Sequence, residues 1–117
     1  MITGGCQCGA IRYEIEGEAH THALCQCSDC RRHAGAPMVG WTMYPQAAVR
    51  ITKGTPKVYH SSAQGRRHFC AACGTGLFYF NEQMLPGLID VQSATADTPD
   101  AVPPVCHIQV AERITWM

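Results

Sequence analysis

Phe69-Cys70-Ala71-Ala72-Cys73-Gly74 decides the fold: two thiols stand three residues apart and a glycine follows them. Such a pair either cycles between dithiol and disulfide or holds a metal ion. The redox reading needs a βαβ unit around the pair, and none is evident in this chain. Working outward, Cys6-Gln7-Cys8-Gly9 repeats the pattern of a pair closed by glycine, and Cys25-Gln26-Cys27-Ser28-Asp29-Cys30 sets three more thiols between the two. Seven of the eight cysteines therefore fall in three tight clusters, with Cys106 apart. A disulfide framework spreads its cysteines, because bridging distant segments is what constrains the unfolded chain. Clusters instead present several sulfurs to one point. A Cys-x-x-Cys turn brings two thiolates to about 2.3 Å from one zinc ion. Glycine at the end of the turn admits positive φ, so the backbone curls and aims its N–H groups at the sulfurs. A sulfur-rich donor set favours zinc, with an iron–sulfur cluster the weaker fit.

Counting ligands separates two kinds of site. A structural zinc is closed by four protein ligands, whereas a catalytic zinc keeps three and an open position. Two cysteine pairs make one closed site, and Cys25, Cys27 and Cys30 supply three ligands to a second. Spacing does not say which pairs combine. Cys106, His107 and His33 are all available to close the second site.

The 117 residues suit a single domain over 1–117 with a modest core. Nine basic side chains balance nine acidic ones, which argues against a general nucleic-acid or membrane-surface binder. With 46% hydrophobic and 15% charged residues the chain is not disordered. No apolar run approaches the ~18 residues of a membrane span. Met1 to Cys6 has no basic start and no apolar stretch, so no export signal is read and the reducing cytoplasm is the expected compartment.

Seven prolines and eleven glycines suit strands and loops. Period-two or short apolar patterns predict strands over Arg12 to Glu16, Met38 to Tyr44, Ala48 to Thr52, Lys57 to Ser61, Arg66 to Phe69, Leu77 to Phe80, Leu88 to Ala94 and His107 to Ala111. Gly17, Pro45, Gly54, Pro56, Gly65, Pro86 and Gly87 punctuate them. One short helix is expected over Ser28 to Ala34 with Ser28 as its cap. Asp97 to Pro104 reads as an ordered loop. The result is a mainly β domain with metal knuckles at strand connections.

Three blocks in this order resemble the GFA family, the glutathione-dependent formaldehyde-activating enzymes and their relatives. They are Gly4-Gly5-Cys6-Gln7-Cys8-Gly9-Ala10-Ile11-Arg12-Tyr13, Cys25-Gln26-Cys27-Ser28-Asp29-Cys30-Arg31-Arg32 with Gly35-Ala36-Pro37 after it, and Phe69-Cys70-Ala71-Ala72-Cys73-Gly74-Thr75-Gly76-Leu77. Pro104, His107 and Trp116 extend the likeness to the C-terminal segment. The resemblance implies the Mss4-like fold of coiled antiparallel sheets and two zinc ions per chain. It implies a structural zinc on Cys6, Cys8, Cys70 and Cys73, and a second, catalytic zinc on Cys25, Cys27 and Cys30. It further implies carbon–sulfur lyase chemistry on glutathione, or a similar thiol, and a small aldehyde such as formaldehyde. Two departures stand out. Cys106 precedes His107 where cysteine is not expected, as an extra thiol or a fourth ligand to the second zinc, and Thr115 precedes Trp116 where proline is common.

Joining a thiol to a carbonyl requires a thiolate, yet a free thiol has a pKa of about 8.5. A zinc with an open position answers that need, by holding the thiol ionised beside the carbonyl or by polarising the carbonyl oxygen. Three thiolate ligands reduce its Lewis acidity, which favours the positioning role. Arg31 and Arg32 could clamp a glutathione carboxylate in bidentate fashion, against the competing reading of a solvated helix face. Arg66 and Arg67 carry the same idea more weakly, since such a pair is commonly an exposed strand end. His33 and His107 are candidate proton shuttles or ligands, with a hydrogen-bonded structural role favoured. His20 and His22 read as exposed loop residues. Trp41, Phe78, Tyr79 and Phe80 read as core, with Trp41 near enough to the second cluster to line a pocket. The alternative to an enzyme is a zinc-stabilised binding module, because related Mss4-like domains act in protein association.

Overall fold

The computed structural model describes residues 1–117 as ten strands and one α-helix, with short 3-10 turns between them. In chain order these are β1 (Ile2–Gly5), β2 (Arg12–Ile15), β3 (Thr21–Cys25), α1 (Ser28–Ala34), β4 (Val39–Pro45), β5 (Val49–Lys53), β6 (Lys57–His60), β7 (Gly65–Phe69), β8 (Gly76–Asn81), β9 (Leu88–Gln92) and β10 (Cys106–Ile108). A three-stranded sheet runs β1-β2-β5, and a seven-stranded sheet runs β10-β3-β4-β9-β8-β7-β6. All pairings are antiparallel except β10 on β3, which is parallel. The mainly β expectation holds, with that one parallel edge as its modification.

The alternation of the central strands builds the core. Tyr44 of β4, Leu77 and Phe78 of β8, and Ile89 and Val91 of β9 pack on Tyr13 and Ile15 of β2. Tyr13 meets Phe78 edge to face at 5.5 Å, and its hydroxyl hydrogen-bonds the Thr95 hydroxyl at 2.7 Å. A Cβ at Gly4 would lie 2.3 Å from that tyrosine oxygen, so only glycine lets β1 approach this closely.

Three expectations are revised. β1 and β3 lack the apolar alternation of their neighbours and carry no strand signal of their own; pairing with β2 and β4 makes them strands. His22 is not an exposed loop residue: it sits on β3 at 5% exposure, with Nδ1 2.7 Å from the Val102 carbonyl and Nε2 2.8 Å from the Ser93 hydroxyl. These bonds anchor the loop after β9, which Arg12 and Thr3 also hold through Asp97. The last strand is shorter than His107 to Ala111, because Gln109 turns to φ 56° and a 3-10 turn, Val110–Glu112, follows.

Candidate metal centres and the cleft beside them

Two turns build the first cluster. The chain leaves β1 at Cys6 and returns at Ile11, closed by Cys6 N–H to the Ile11 carbonyl at 3.1 Å. Between β7 and β8 the chain turns with Gly74 N–H on the Cys70 carbonyl at 2.8 Å. Gly9 and Gly74 take φ of 80° and 84°, as the pair-plus-glycine pattern predicts. Gln7 N–H donates to the Thr75 hydroxyl oxygen at 3.1 Å and ties the two turns together. The sulfurs of Cys6, Cys8, Cys70 and Cys73 then lie within 4.8 Å of one another. Cys6 and Cys8 are 3.7 Å apart and Cys8 and Cys70 are 3.8 Å apart. Four thiolates at about 2.3 Å from one tetrahedral zinc stand roughly 3.8 Å from each other, so the donor set fits that ion. Ile11 N–H points at the Cys6 sulfur at 3.2 Å, and Thr75 holds the Cys73 thiol low, at about 5. Both effects favour the thiolate that a metal needs.

The second cluster sits at the start of α1. Cys25 ends β3, and Cys27 is the helix cap in place of the expected Ser28. Its backbone is extended and its sulfur accepts from Cys30 N–H at 3.2 Å. The Ser28 hydroxyl is instead turned to Glu112, at 3.0 Å. Gly35, left-handed at φ 65°, ends the helix one turn later with its N–H on the Arg31 carbonyl. The sulfurs of Cys25, Cys27 and Cys30 gather within 4.8 Å of one another, and no fourth His, Cys, Asp or Glu joins them. The set fits a zinc with three protein ligands. Cys106 stands outside: the parallel register sets it opposite Ala23, two residues short of Cys25, and leaves it exposed. His107 hydrogen-bonds Gln26 at 2.9 Å, and His33 packs against Tyr59 and Phe69, so neither is among the gathered donors.

Strand register supplies what sequence proximity does not. Met43, Asp90, Tyr79, Arg67 and Tyr59 are direct partners across β4, β9, β8, β7 and β6, and so share one face of the large sheet. That face is opposite the core and carries the second cluster. Arg67 is 4% exposed, with its two terminal nitrogens 3.8 and 3.7 Å from the Cys30 sulfur and its guanidinium 4.8 Å over the Tyr79 ring. Its Nε is buried without a partner. The Cys30 thiol is held low, at about 5, by hydrogen bonds from Cys25 and Cys27 and by the charge of Arg67. Cys25 and Cys27 are pushed up in turn, Cys25 chiefly by Cys30 and Cys27 chiefly by burial. Burial first, then the charge of Cys30, raises Asp90 to about 7. Burial and Arg67 hold His33 below the ordinary imidazole value.

A cleft of about 250 Å³ opens over the three sulfurs, Arg67, Tyr79 and Asp90. Trp41, Met43, Met84, Leu85 and Ile108 form its apolar walls. A polar hollow of about 310 Å³ adjoins it through Arg67, with Arg32, His33, Tyr59, Ser61 and Asp29 around it. Of the arginines singled out from sequence, Arg32 lines this hollow and Arg31 turns to the C-terminal segment, 3.4 Å from the Glu112 carbonyl. Neither lines the sulfur cleft. The arginine at the sulfurs is Arg67, whose reading as an exposed strand end is corrected here. Its alternation in phase with Gly65 and Phe69 was the available signal. Asp90 was missed altogether, although it interrupts an otherwise apolar strand.

A profile of the family described as "Glutathione-dependent formaldehyde-activating enzyme" matches residues 1–112. A Halomonas elongata protein, provisionally named a glutathione-dependent formaldehyde-activating enzyme, is 25% identical over 126 aligned residues, covering 100% of this chain and 80% of its own. A Schizosaccharomyces pombe protein named an uncharacterized lyase is 30% identical over 76 residues, which are 65% of this chain and 55% of that protein. A crystal structure of a Rhodobacter sphaeroides protein shares the fold with a TM-score of 0.71 at 23% identity, over 90% of this chain and 98% of the other. With the cysteine blocks folded into two sulfur clusters and the family profile spanning nearly the whole length, this chain belongs to the family of glutathione-dependent formaldehyde-activating enzymes.

Proposed function

We propose that this protein is a zinc-dependent enzyme of the carbon–sulfur lyase type, acting on adducts of glutathione, or a similar thiol, with a small aldehyde. One observation carries the reading: three thiols without a fourth protein ligand lie on the floor of an open cleft, beside a buried arginine and a protonatable carboxyl. Cys25, Cys27 and Cys30 would hold a zinc ion, which would supply a Lewis acid able to ionise a substrate thiol near neutral pH. Cys6, Cys8, Cys70 and Cys73 hold the other zinc, as a brace between β-turns.

The chain's own groups do the rest. Arg67 faces the Cys30 sulfur and offsets the negative charge gathered there. Asp90, with its carboxyl raised to about 7, gives its proton to the carbonyl oxygen as the C–S bond forms and takes it back as the bond breaks. The thiol proton released on ionisation restores Asp90, so thiol plus aldehyde balances the hydroxyalkyl thioether. The polar hollow offers Arg32, His33 and Arg67 to a carboxylate of the thiol, against the single acid Asp29. None of the eight cysteines is in a disulfide, which suits a reducing compartment such as the cytoplasm. No helix is long and apolar enough to cross a membrane.

The test is exchange NMR of glutathione with aldehyde, with and without protein, alongside zinc content. Two zinc ions per chain, one labile, and exchange faster than the spontaneous rate are expected. Two inert zinc ions and no acceleration of any thiol–aldehyde pair would leave a binding module.

A further inference from the structure

The cleft over Cys25, Cys27 and Cys30 is far larger and more apolar than formaldehyde requires. It is an open cleft of about 250 Å³, and formaldehyde, with two heavy atoms and no apolar substituent, makes no use of such a wall. Five large apolar side chains from three parts of the chain converge on it: Trp41 and Met43 from β4, Met84 and Leu85 from the β8–β9 turn, and Ile108 from β10. Met84 is 74% exposed and Ile108 is 40% exposed at the mouth. Isolated exposed apolar residues are ordinary, but here two of them rim a cavity whose inner wall, Trp41, is 5% exposed. Methionine is a pliable wall that fits varied apolar shapes.

The thiol partner does not account for this wall. A glutathione-type thiol reaches its sulfur through one methylene and carries its charge at the ends. Asp29 and Arg67 line both spaces; what the hollow adds is Arg32 and His33, which receive a carboxylate, and what the cleft adds is Asp90 and the apolar wall. Arg67 belongs to both spaces, so the sulfur cluster lies where an anionic tail on one side meets an apolar group on the other.

From this we infer that the aldehyde handled at this site carries an apolar substituent about the size of a phenyl or branched alkyl group, seated between Trp41, Met43, Met84, Leu85 and Ile108. The inference rests on the thiol–aldehyde reading above and names its carbonyl substrate class. Formaldehyde leaves the wall unfilled. An apolar pocket discriminates by about tenfold or more for each methylene it seats.

Two measurements on the protein as purified, with its metal content recorded, test it. The first is kcat/KM for glutathione with formaldehyde and with phenylacetaldehyde, each relative to its spontaneous rate. Phenylacetaldehyde is expected to be favoured at least about tenfold, and Met84→Gln, in an exposed turn, is expected to shrink that preference several-fold. The second is binding of the stable thioethers S-benzylglutathione and S-methylglutathione, read by Trp41 fluorescence in a Trp116→Phe background. The benzyl compound is expected to bind about tenfold more tightly and to shift the Trp41 emission. Equal binding, or preference for formaldehyde, overturns the inference while the thiol–aldehyde reading stands. If no pair is accelerated and neither thioether binds, both fall together.

Discussion

The two sulfur clusters share a donor type and differ in everything around it. The first joins two turns far apart in the chain, one near its start and one past its middle, with Cys6 and Cys70 at 6% and 2% exposure inside the main core. Its four sulfurs have the spacing to complete one tetrahedral ion among themselves. The second is built within six residues, from one strand end and one helical turn, and packs on a four-residue cluster with Val39 and Trp41. Its three sulfurs face a cleft and an arginine. Burial does not separate the two clusters, since Cys8 of the first set is exposed while Cys25 and Cys30 of the second are buried; ligand number and the neighbouring cleft and arginine do, and these set a proposed brace apart from a proposed reactive centre.

That contrast breaks first, and most severely, at the brace. Cys70→Ser takes a buried sulfur from the proposed four-thiolate zinc and so loosens the link between the β7–β8 turn and the N-terminal turn. Destabilisation of about 4 kcal/mol or more is expected, up to failure to fold, read by urea unfolding followed by circular dichroism. Cys27→Ala or Cys30→Ala is the counterpart at the second cluster. With two zinc ions bound as proposed, loss of one of them and of turnover is expected, while the far-ultraviolet spectrum stays native; loss of the Cys27 cap itself costs only about 1 kcal/mol. Full turnover after loss of that metal would falsify a catalytic role for the cluster.

Smaller effects sharpen the second site. Arg67→Met removes the cation facing Cys30 and is expected to lower kcat by roughly ten- to a hundredfold, with Arg67→Lys partly restoring it. Equal kcat in all three forms would reduce Arg67 to packing. Asp90 carries the pH dependence. Its folded pKa of about 7 lies above the ordinary 3.8, so the folded state holds the proton more tightly than the unfolded chain. Its contribution to stability is full below about pH 4 and is lost as pH rises through 7. The same proton leaves the cleft over that window, so adduct formation falls on the alkaline side of 7. Asp90→Asn should flatten both profiles, and an unchanged alkaline limb in turnover would remove Asp90 from proton transfer.

Much of the fold was readable along the chain, for reasons that particular residues make plain. Ile11, Tyr13 and Ile15 alternate because one face of β2 is buried, and that period survives in the sequence. Seven-residue α1 was visible through its short span between Cys27 and Gly35, although the cap moved one residue to a sulfur. β3 was not visible, because its buried positions are filled by His22, Ala23 and Cys25, which serve hydrogen bonds and the sulfur cluster as well as packing. At the site the ligating thiols were legible and their surroundings were not. Arg31 and Arg32 drew attention by adjacency to Cys30, yet a helix turns successive residues about 100° apart and carried them off the cleft.

The sequence by itself determined that the chain is a mainly β member of its family with thiols at metal-ligand spacing, because the spacing of thiols inside a turn is a property of a few consecutive residues. It also determined that the sulfurs come in three local groups. Only the tertiary structure decided that Arg67 and Asp90, 37 and 60 positions beyond Cys30, share the face it occupies. Only the tertiary structure decided, too, that Cys106 does not join them. The physical reason is the same in each case: strand register brings together residues at any sequence distance, and a shift of one position sends a side chain to the other face.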